Sequence, residues 1–256
     1  MSKKLFNKLD IFLDSEPSED KLIKFIEDLI LSNEPTNKTI ATRYSNVKKY
    51  LRQNYIGISE DTLKKLKPDD KIIQAILNSD ALKKTNKKNI HFDSNNVNDI
   101  LQLKNSSNVY DNAIYLQFIS GRRINEIFDD DIKLTMLKNA PHKVRFSSLS
   151  KKTNDKPYII KLVPDITGKE FRDKLYNLRK IINGISLNDF NKRVNKKIKE
   201  KIGKQFTSHN LRGMYGVFLF NKYNEEDQNI NGFISKVLNH DSTDASLHYT
   251  NYIFKD

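Results

Sequence analysis

Four short segments in the second half of the chain carry side chains suited to handling phosphate. Ser120-Gly121-Arg122-Arg123-Ile124-Asn125-Glu126 ends one helical pattern at Gly121 and opens another at Arg123. An Arg at a helix start with Glu three residues on is ordinarily a capping or ion-pair arrangement. Ser148 to Tyr158 reads as a hairpin with Lys151, Lys152 and Lys156 at its tip. Such lysines are ordinarily solvated, although a mobile hairpin can also deliver one into a nucleic-acid groove. Thr207-Ser208-His209-Asn210-Leu211-Arg212 offers Ser208 as a helix N-cap. His209 and Arg212 then stand three apart on one face and can converge on one phosphate, which the helix N-terminus also favours. Last, Leu238-Asn239-His240 places a His in a turn, with Tyr249 nine residues later on a short helix. A tyrosine there is ordinarily a packing residue. Each segment has a commonplace reading by itself.

The elements that must position these groups follow from periodicity. Asp20–Ile30, Thr39–Tyr55 and Asp70–Leu82 repeat apolar residues at helical spacing, the last through Ile72, Ile73, Ile76 and Leu77. The polar run from Lys83 to Asn96 has neither helical nor strand period and reads as a linker between domains 1–90 and 91–256. Val97–Leu103 and Val109–Ser120 are predicted helical. Asp131–Leu137, Lys143–Ser150 and Tyr158–Val163 are predicted strands, the last two joined through Thr153-Asn154-Asp155-Lys156. From Thr167 onward everything reads as helix: Lys169–Ile182, Leu187–Ile202, Ser208–Tyr223, Gly232–Leu238 and Ser242–Tyr249. The expected fold is mainly α with a small antiparallel β-sheet: a helical domain, then a mixed domain with the sheet among its helices.

Composition bounds the function classes. With 256 residues, 14 Phe and 11 Tyr, the chain can build a core or two. No cysteine is present, which removes disulfides, thiolate zinc sites and Cys nucleophiles together. No apolar run is long enough to span a bilayer, and the charged N-terminus does not read as a signal peptide, so neither a membrane partner nor secretion is expected. The formal net charge is +13. Residues 151–204 hold 16 basic and 6 acidic side chains, whereas residues 1–100 hold 18 and 15. A concentrated basic stretch is the footprint of a polyanion, nucleic acid first. The wealth of Lys and Asn suits a virus, plasmid or mobile element.

Taken in order, the four segments resemble the tyrosine recombinase superfamily, the phage-type integrases. That family has an Arg in a Ser/Thr-Gly-x-Arg-x-x-Glu segment, a hairpin Lys, a His-x-Leu-Arg helix, and a Leu-Gly-His turn followed nine residues later by a nucleophilic Tyr. Here these are Ser-Gly-Arg-Arg-Ile-Asn-Glu, Ser-Lys-Lys-Thr, Ser-His-Asn-Leu-Arg and Leu-Asn-His with Tyr249. The resemblance covers about residues 97–252, and the first half looks like the family's core-binding, DNA-clamping domain. It implies attack of Tyr249 on a phosphodiester of double-stranded DNA, giving a 3′-phosphotyrosyl link without ATP, metal or other cofactor. Arg123 and Arg212 would stabilise the phosphorane, Lys152 would protonate the leaving 5′-oxygen, His209 would accept the tyrosine proton, and His240 would bind a phosphate oxygen. Glu126 would orient the arginines or His209.

Several assignments stay open at this stage. Arg122 competes with Arg123, Lys151 and Lys156 with Lys152, and Tyr252 with Tyr249; the losers would be DNA-binding or packing groups. Asn239 stands where the family usually has Gly. Seven residues follow Tyr249, so a long C-terminal helix controlling assembly is not expected, though a dimer or tetramer on DNA is. The first-ranked activity is a site-specific recombinase or integrase, acting wherever its target DNA lies. A telomere resolvase, suggested by the Gly-Arg-Arg segment and by Met214-Tyr215-Gly216-Val217-Phe218, and a type IB topoisomerase would use the same residues; poxvirus-like topoisomerases carry Lys where this chain has His209. A non-catalytic DNA-binding or packaging protein that kept the fold is the remaining reading. If residues 151–204 line the duplex, log affinity should fall linearly with log salt, by about 0.9 per phosphate neutralised. Filter binding at several salt concentrations measures this, and a flat response would remove the stretch from the interface.

Overall fold

The computed structural model describes residues 3–55, 57–85, 89–148, 157–224, 229–240, 249 and 251–255. The chain divides into two compact units, 1–87 and 88–256. The first contains α1 (Lys3–Leu13), α2 (Glu19–Leu31), α3 (Asn37–Asn54), α4 (Glu60–Lys65) and α5 (Asp70–Thr85). Its core is an amphipathic set: Leu22, Ile26, Leu29 and Ile30 from α2 meet Ile40, Tyr44, Val47 and Leu51 from α3. Thr36 and Ser59 cap α3 and α4 by accepting from backbone N–H groups at Thr39 and Thr62. On α5, Leu77 is exposed although its spacing places it on the apolar face.

The second unit is mainly helical with a small antiparallel sheet, as the pattern predicts. It runs β1 (Ile90–Asp93), α6 (Ser94–Gln102), α7 (Val109–Ser120), α8 (Ile124–Phe128), β2 (Leu134–Met136), β3 (Lys143–Phe146) and β4 (Tyr158–Lys161). Then follow α9 (Gly168–Ile182), α10 (Leu187–Lys201), α11 (Ser208–Tyr223), α12 (Ile230–Leu238) and β5 (Tyr252–Lys255). β2, β3 and β4 pair antiparallel in chain order, with Val144 opposite Met136 on one side and Ile160 on the other. Val144, Phe146 and Ile160 face the core, while Lys143, Arg145 and Ile159 alternate outward. The turn expected at 153–156 and most of the helix expected at 242–249 lie outside the described residues.

Two local readings differ from the structure. The linker expected from Lys83 to Asn96 is interrupted, because Ile90–Asp93 pairs in parallel with Tyr252–Lys255. That partner is at the far end of the unit, so no local period announces the strand. Asp93 then starts α6: its carboxylate accepts from Asn96 N (2.9 Å), and Asn96 Oδ1 accepts from Asp93 N (3.2 Å). Helix α11 is capped by Thr207 and not Ser208, whose side chain is buried and used elsewhere.

α7 and α11 form the centre of this unit. Almost every α7 residue from Ala113 to Ser120 is buried, as is α11 from Leu211 to Leu219. Gly121 ends α7 in the left-handed region at φ 62°, and a Cβ there would collide with the Tyr215 ring of α11. Both the backbone and the space require glycine. Gly121→Ala should destabilise the protein by about 1–3 kcal/mol, read as a lowered urea midpoint; an unchanged midpoint would refute the close approach.

Candidate active site

The site begins where α7 stops. After Gly121 the chain places two guanidinium groups in opposite environments. Arg123 caps α8, and its side chain remains 29% exposed. Its backbone N donates to Glu126 Oε2 (3.0 Å) and its Nη1 to Glu126 Oε1 (3.2 Å). Arg122 is wholly buried: Nε donates to Ser120 O (3.2 Å), Nη2 to Leu238 O (3.4 Å), and Nη1 lies 3.9 Å from Glu126 Oε2. Arg122, expected among the DNA-binding groups, has no solvent exposure in this arrangement and directs its donors to Ser120 O and Leu238 O. Burial, with the Arg212 charge beside it, pushes the Arg122 guanidinium down to about 9, which still leaves it protonated at neutral pH.

Arg212 comes from the first turns of α11. It is 1% exposed; Nη1 donates to Gly121 O, and Nη2 donates to Leu238 O (3.0 Å) and lies 3.3 Å from His240 Nε2. Burial lowers its pKa, and a hydrogen bond and favourable charge contact with Tyr249 offset part of this. Arg123 and Glu126 act on the same charge with opposite signs. The start of α11 is itself clamped. Ser208 N donates to Asn195 Oδ1 (2.7 Å), Ser208 Oγ bonds Asn191 Oδ1 (2.9 Å), and Ser208 O accepts from the buried Gln117 (2.8 Å). His209 follows in the first turn and faces solvent, three residues before Arg212.

The remaining groups arrive from the C-terminal segment. α12 ends at Asn239, which adopts the left-handed conformation (φ 54°) that Asn tolerates and the family's glycine would also fill. His240 N donates to Ser235 O (2.9 Å), which fixes the turn. The imidazole stacks on the Tyr249 ring, with centroids 5.7 Å apart and planes at 17°. Tyr249 is 5% exposed. Thus Arg123, Glu126, Arg212, His240 and Tyr249 share one place, with His209 on the adjoining turn. Lys151, Lys152 and Lys156 lie outside the described residues.

Tyr252, the competing tyrosine, is occupied structurally. Its hydroxyl accepts from Asn210 Nδ2 (2.9 Å), and burial pushes its pKa up to about 12. One organising residue escaped the sequence reading altogether. Arg179 of α9 is buried and donates to the carbonyls of Glu126 (2.9 Å), Ile127 (3.0 Å) and Ile132 (2.7 Å). It thereby satisfies the end of α8 and holds the helix that carries Glu126. Within the basic run 151–204 nothing in spacing separates it from its solvated neighbours.

Chemically, the arrangement is a set of fixed N–H donors and positive charges around a phenol. Such a site can bind a phosphodiester and stabilise the charge that grows on it during in-line attack.

Comparison with known proteins gives this arrangement its context. A family model described as the telomere resolvase ResT/TelK catalytic domain matches residues 82–252, two thirds of the chain. A single-substitution variant of protelomerase TelA, solved covalently complexed with substrate DNA, superposes with a TM-score of 0.78 at 16% identity, covering 99% of this chain and 90% of that one. A TelA variant complexed with a DNA hairpin product gives 0.79 at 15% identity, over 99% and 89%. Protelomerase TelK with substrate DNA gives 0.62 at 16% identity, over all of this chain and 55% of that one. A sequence comparison with curated proteins finds no match. Fold and family together define a DNA breaking-and-rejoining enzyme of the tyrosine recombinase superfamily, acting through a covalent tyrosine intermediate. Within that class, the chain belongs to the family of telomere resolvase catalytic domains.

Glu126 is fully buried between the two arginines that follow Gly121. Glu126→Ala should cost about 3–5 kcal/mol, because it leaves buried positive charge uncompensated. The double variant Arg122→Met/Glu126→Leu should recover part of that loss, and urea unfolding of the two variants measures the difference.

Proposed function

We propose that the chain is a telomere resolvase, which cuts both strands of a duplex and reseals each end as a covalently closed hairpin. The observation that carries this reading is the match of the telomere resolvase catalytic-domain model to residues 82–252. The likeness to a protelomerase complexed with a hairpin product supports it.

In this reading the Tyr249 oxygen attacks the scissile phosphorus, the bond to the 5′-oxygen breaks, and the 3′-phosphate remains on the enzyme as a tyrosyl ester. Arg123 and Arg212 stabilise the non-bridging oxygens, and His240 donates to one of them. His209 accepts the phenolic proton. Lys152 gives a proton to the departing 5′-oxygen. In the second step the 5′-hydroxyl of the opposite strand attacks the same phosphorus, and the Tyr249 oxygen leaves and regains its proton. Each step exchanges one phosphate ester for another, so the bond energy is kept.

Both strands must be cut, and each protomer offers one Tyr249. Two protomers on an inverted-repeat site satisfy this, with residues 1–90 as the DNA-clamping domain. The enzyme works wherever that DNA lies. A site-specific recombinase would use the same first step and differ only in which 5′-hydroxyl reseals the ester.

The test is a labelled duplex carrying the cognate inverted repeat. A resolvase yields fragments that migrate as double-length single strands on denaturing gels, whereas exchange between two differently labelled duplexes supports a recombinase and overturns this reading. On a substrate nicked just past the scissile phosphate, wild type should form a covalent adduct and Tyr249→Phe none. Arg123→Ala and Arg212→Ala should each slow adduct formation by about 10²–10³-fold.

A further inference from the structure

Tyr249 needs more than a hydrogen bond to be held in line with a phosphorus atom, because a phenol pivots about its side-chain torsions. His240 covers one face of its ring. Against another side lies Tyr252, with ring centroids 5.8 Å apart and planes at 50°. Tyr252 is itself held from three directions. Its hydroxyl accepts from Asn210 Nδ2 (2.9 Å). The Oδ1 of the same amide accepts from both Thr207 N and Thr207 Oγ1 (2.7 Å each), which fixes the amide's orientation at the head of α11. The hydroxyl end of the Tyr252 ring lies against Gly213: a Cβ there would approach Cζ, Cε1 and Cε2 to 2.5–2.8 Å. Its backbone is paired with Ile90 in the parallel β1–β5 ladder, with Ile90 N donating to Asn251 O (2.7 Å).

We infer that Tyr252, seated on Gly213 and tethered by Asn210, is the positioning residue that locks the Tyr249 phenol against Arg212. The inference rests on Tyr249 being the nucleophile. Asn210 and Gly213 flank Arg212 by two residues and one residue on α11. One helix therefore sets both the guanidinium that meets the phosphate and the seat of the ring that aims the attacking oxygen. Tyr252 touches no reacting atom. It narrows the arc through which Tyr249 can swing, and its effect belongs to the chemical step and not to DNA binding.

The experiment is single-turnover cleavage of the nicked duplex at saturating enzyme, run beside DNA affinity and thermal unfolding on the full chain. Tyr252→Leu removes the aromatic wall, and Gly213→Ala pushes the ring off its seat from the opposite side. Each should lower the cleavage rate constant about 10²-fold, with affinity changed less than about threefold. Tyr252→Phe keeps the wall and loses only the tether, and it should retain most of the rate. The inference is overturned if Tyr252→Leu cleaves at the wild-type rate, if Tyr252→Phe is as slow as Tyr252→Leu, or if affinity falls in step with rate. Should one variant fail to fold, the other still reports on the same seat. Failure of wild type to form any adduct at Tyr249 would instead count against the nucleophile assignment, so the two outcomes are distinct.

Discussion

Two guanidinium groups, those of Arg122 and Arg212, donate to a single backbone oxygen, Leu238 O, from inside a protein core. Like charges at such proximity, stripped of water, oppose folding. Glu126 offsets part of the cost from the side of Arg122 and Arg123, and the carbonyls of Ser120, Gly121 and Leu238 supply acceptors. Even so, Nη1 of Arg122 and Nε of Arg212 find no hydrogen-bond acceptor among the described residues. Among the described residues one buried carboxylate, that of Glu126, stands against the guanidinium groups of Arg122, Arg123 and Arg212. In the proposed reading a phosphodiester gaining negative charge in a transition state would supply the complement, and donors already fixed would need little reorganisation.

Helix α11 is the ruler along which the site is laid out. Its cap orients Asn210, its first turn carries His209, and its second carries Arg212 and the bare backbone at Gly213. One turn further, Tyr215 packs under Gly121 and donates to the Lys161 carbonyl at the end of β4. Rotating this helix would misplace every one of these groups at once. Accordingly it is gripped at its start by Asn191 and Asn195 of α10 and by Gln117 of α7, all acting on Ser208. A buried polar network of this kind fixes rotation more sharply than apolar packing, which tolerates small slips.

The main helices and the antiparallel sheet were readable because their signals are local: a 3.6-residue or 2-residue period, bounded by Gly, Pro, Asn or Asp. Tyr252–Lys255 was not, because a short strand paired in parallel with a segment at the other end of the unit leaves no periodic trace. Among the site residues, Arg123, Glu126, Arg212, His240 and Tyr249 could be picked out by spacing and order, and they do lie together. Spacing could not reveal which of two adjacent arginines points inward. Arg122 became legible only once Leu238 O and Glu126 were seen to enclose it. Arg179 was hidden by its company, since one buried cation in a lysine-rich stretch looks like the rest.

The parallel ladder between residues 90 and 252 has a consequence for how the protein comes into being. The first strand of the catalytic unit leaves the ribosome long before its partner does. Until the partner arrives, the ring contact of Tyr249 with Tyr252 cannot form. Contacts so distant in sequence close late in folding. In the proposed reading, a truncated product lacking residues 249–255 would keep Arg123 and Arg212 and lose the attacking tyrosine together with the strand that seats it.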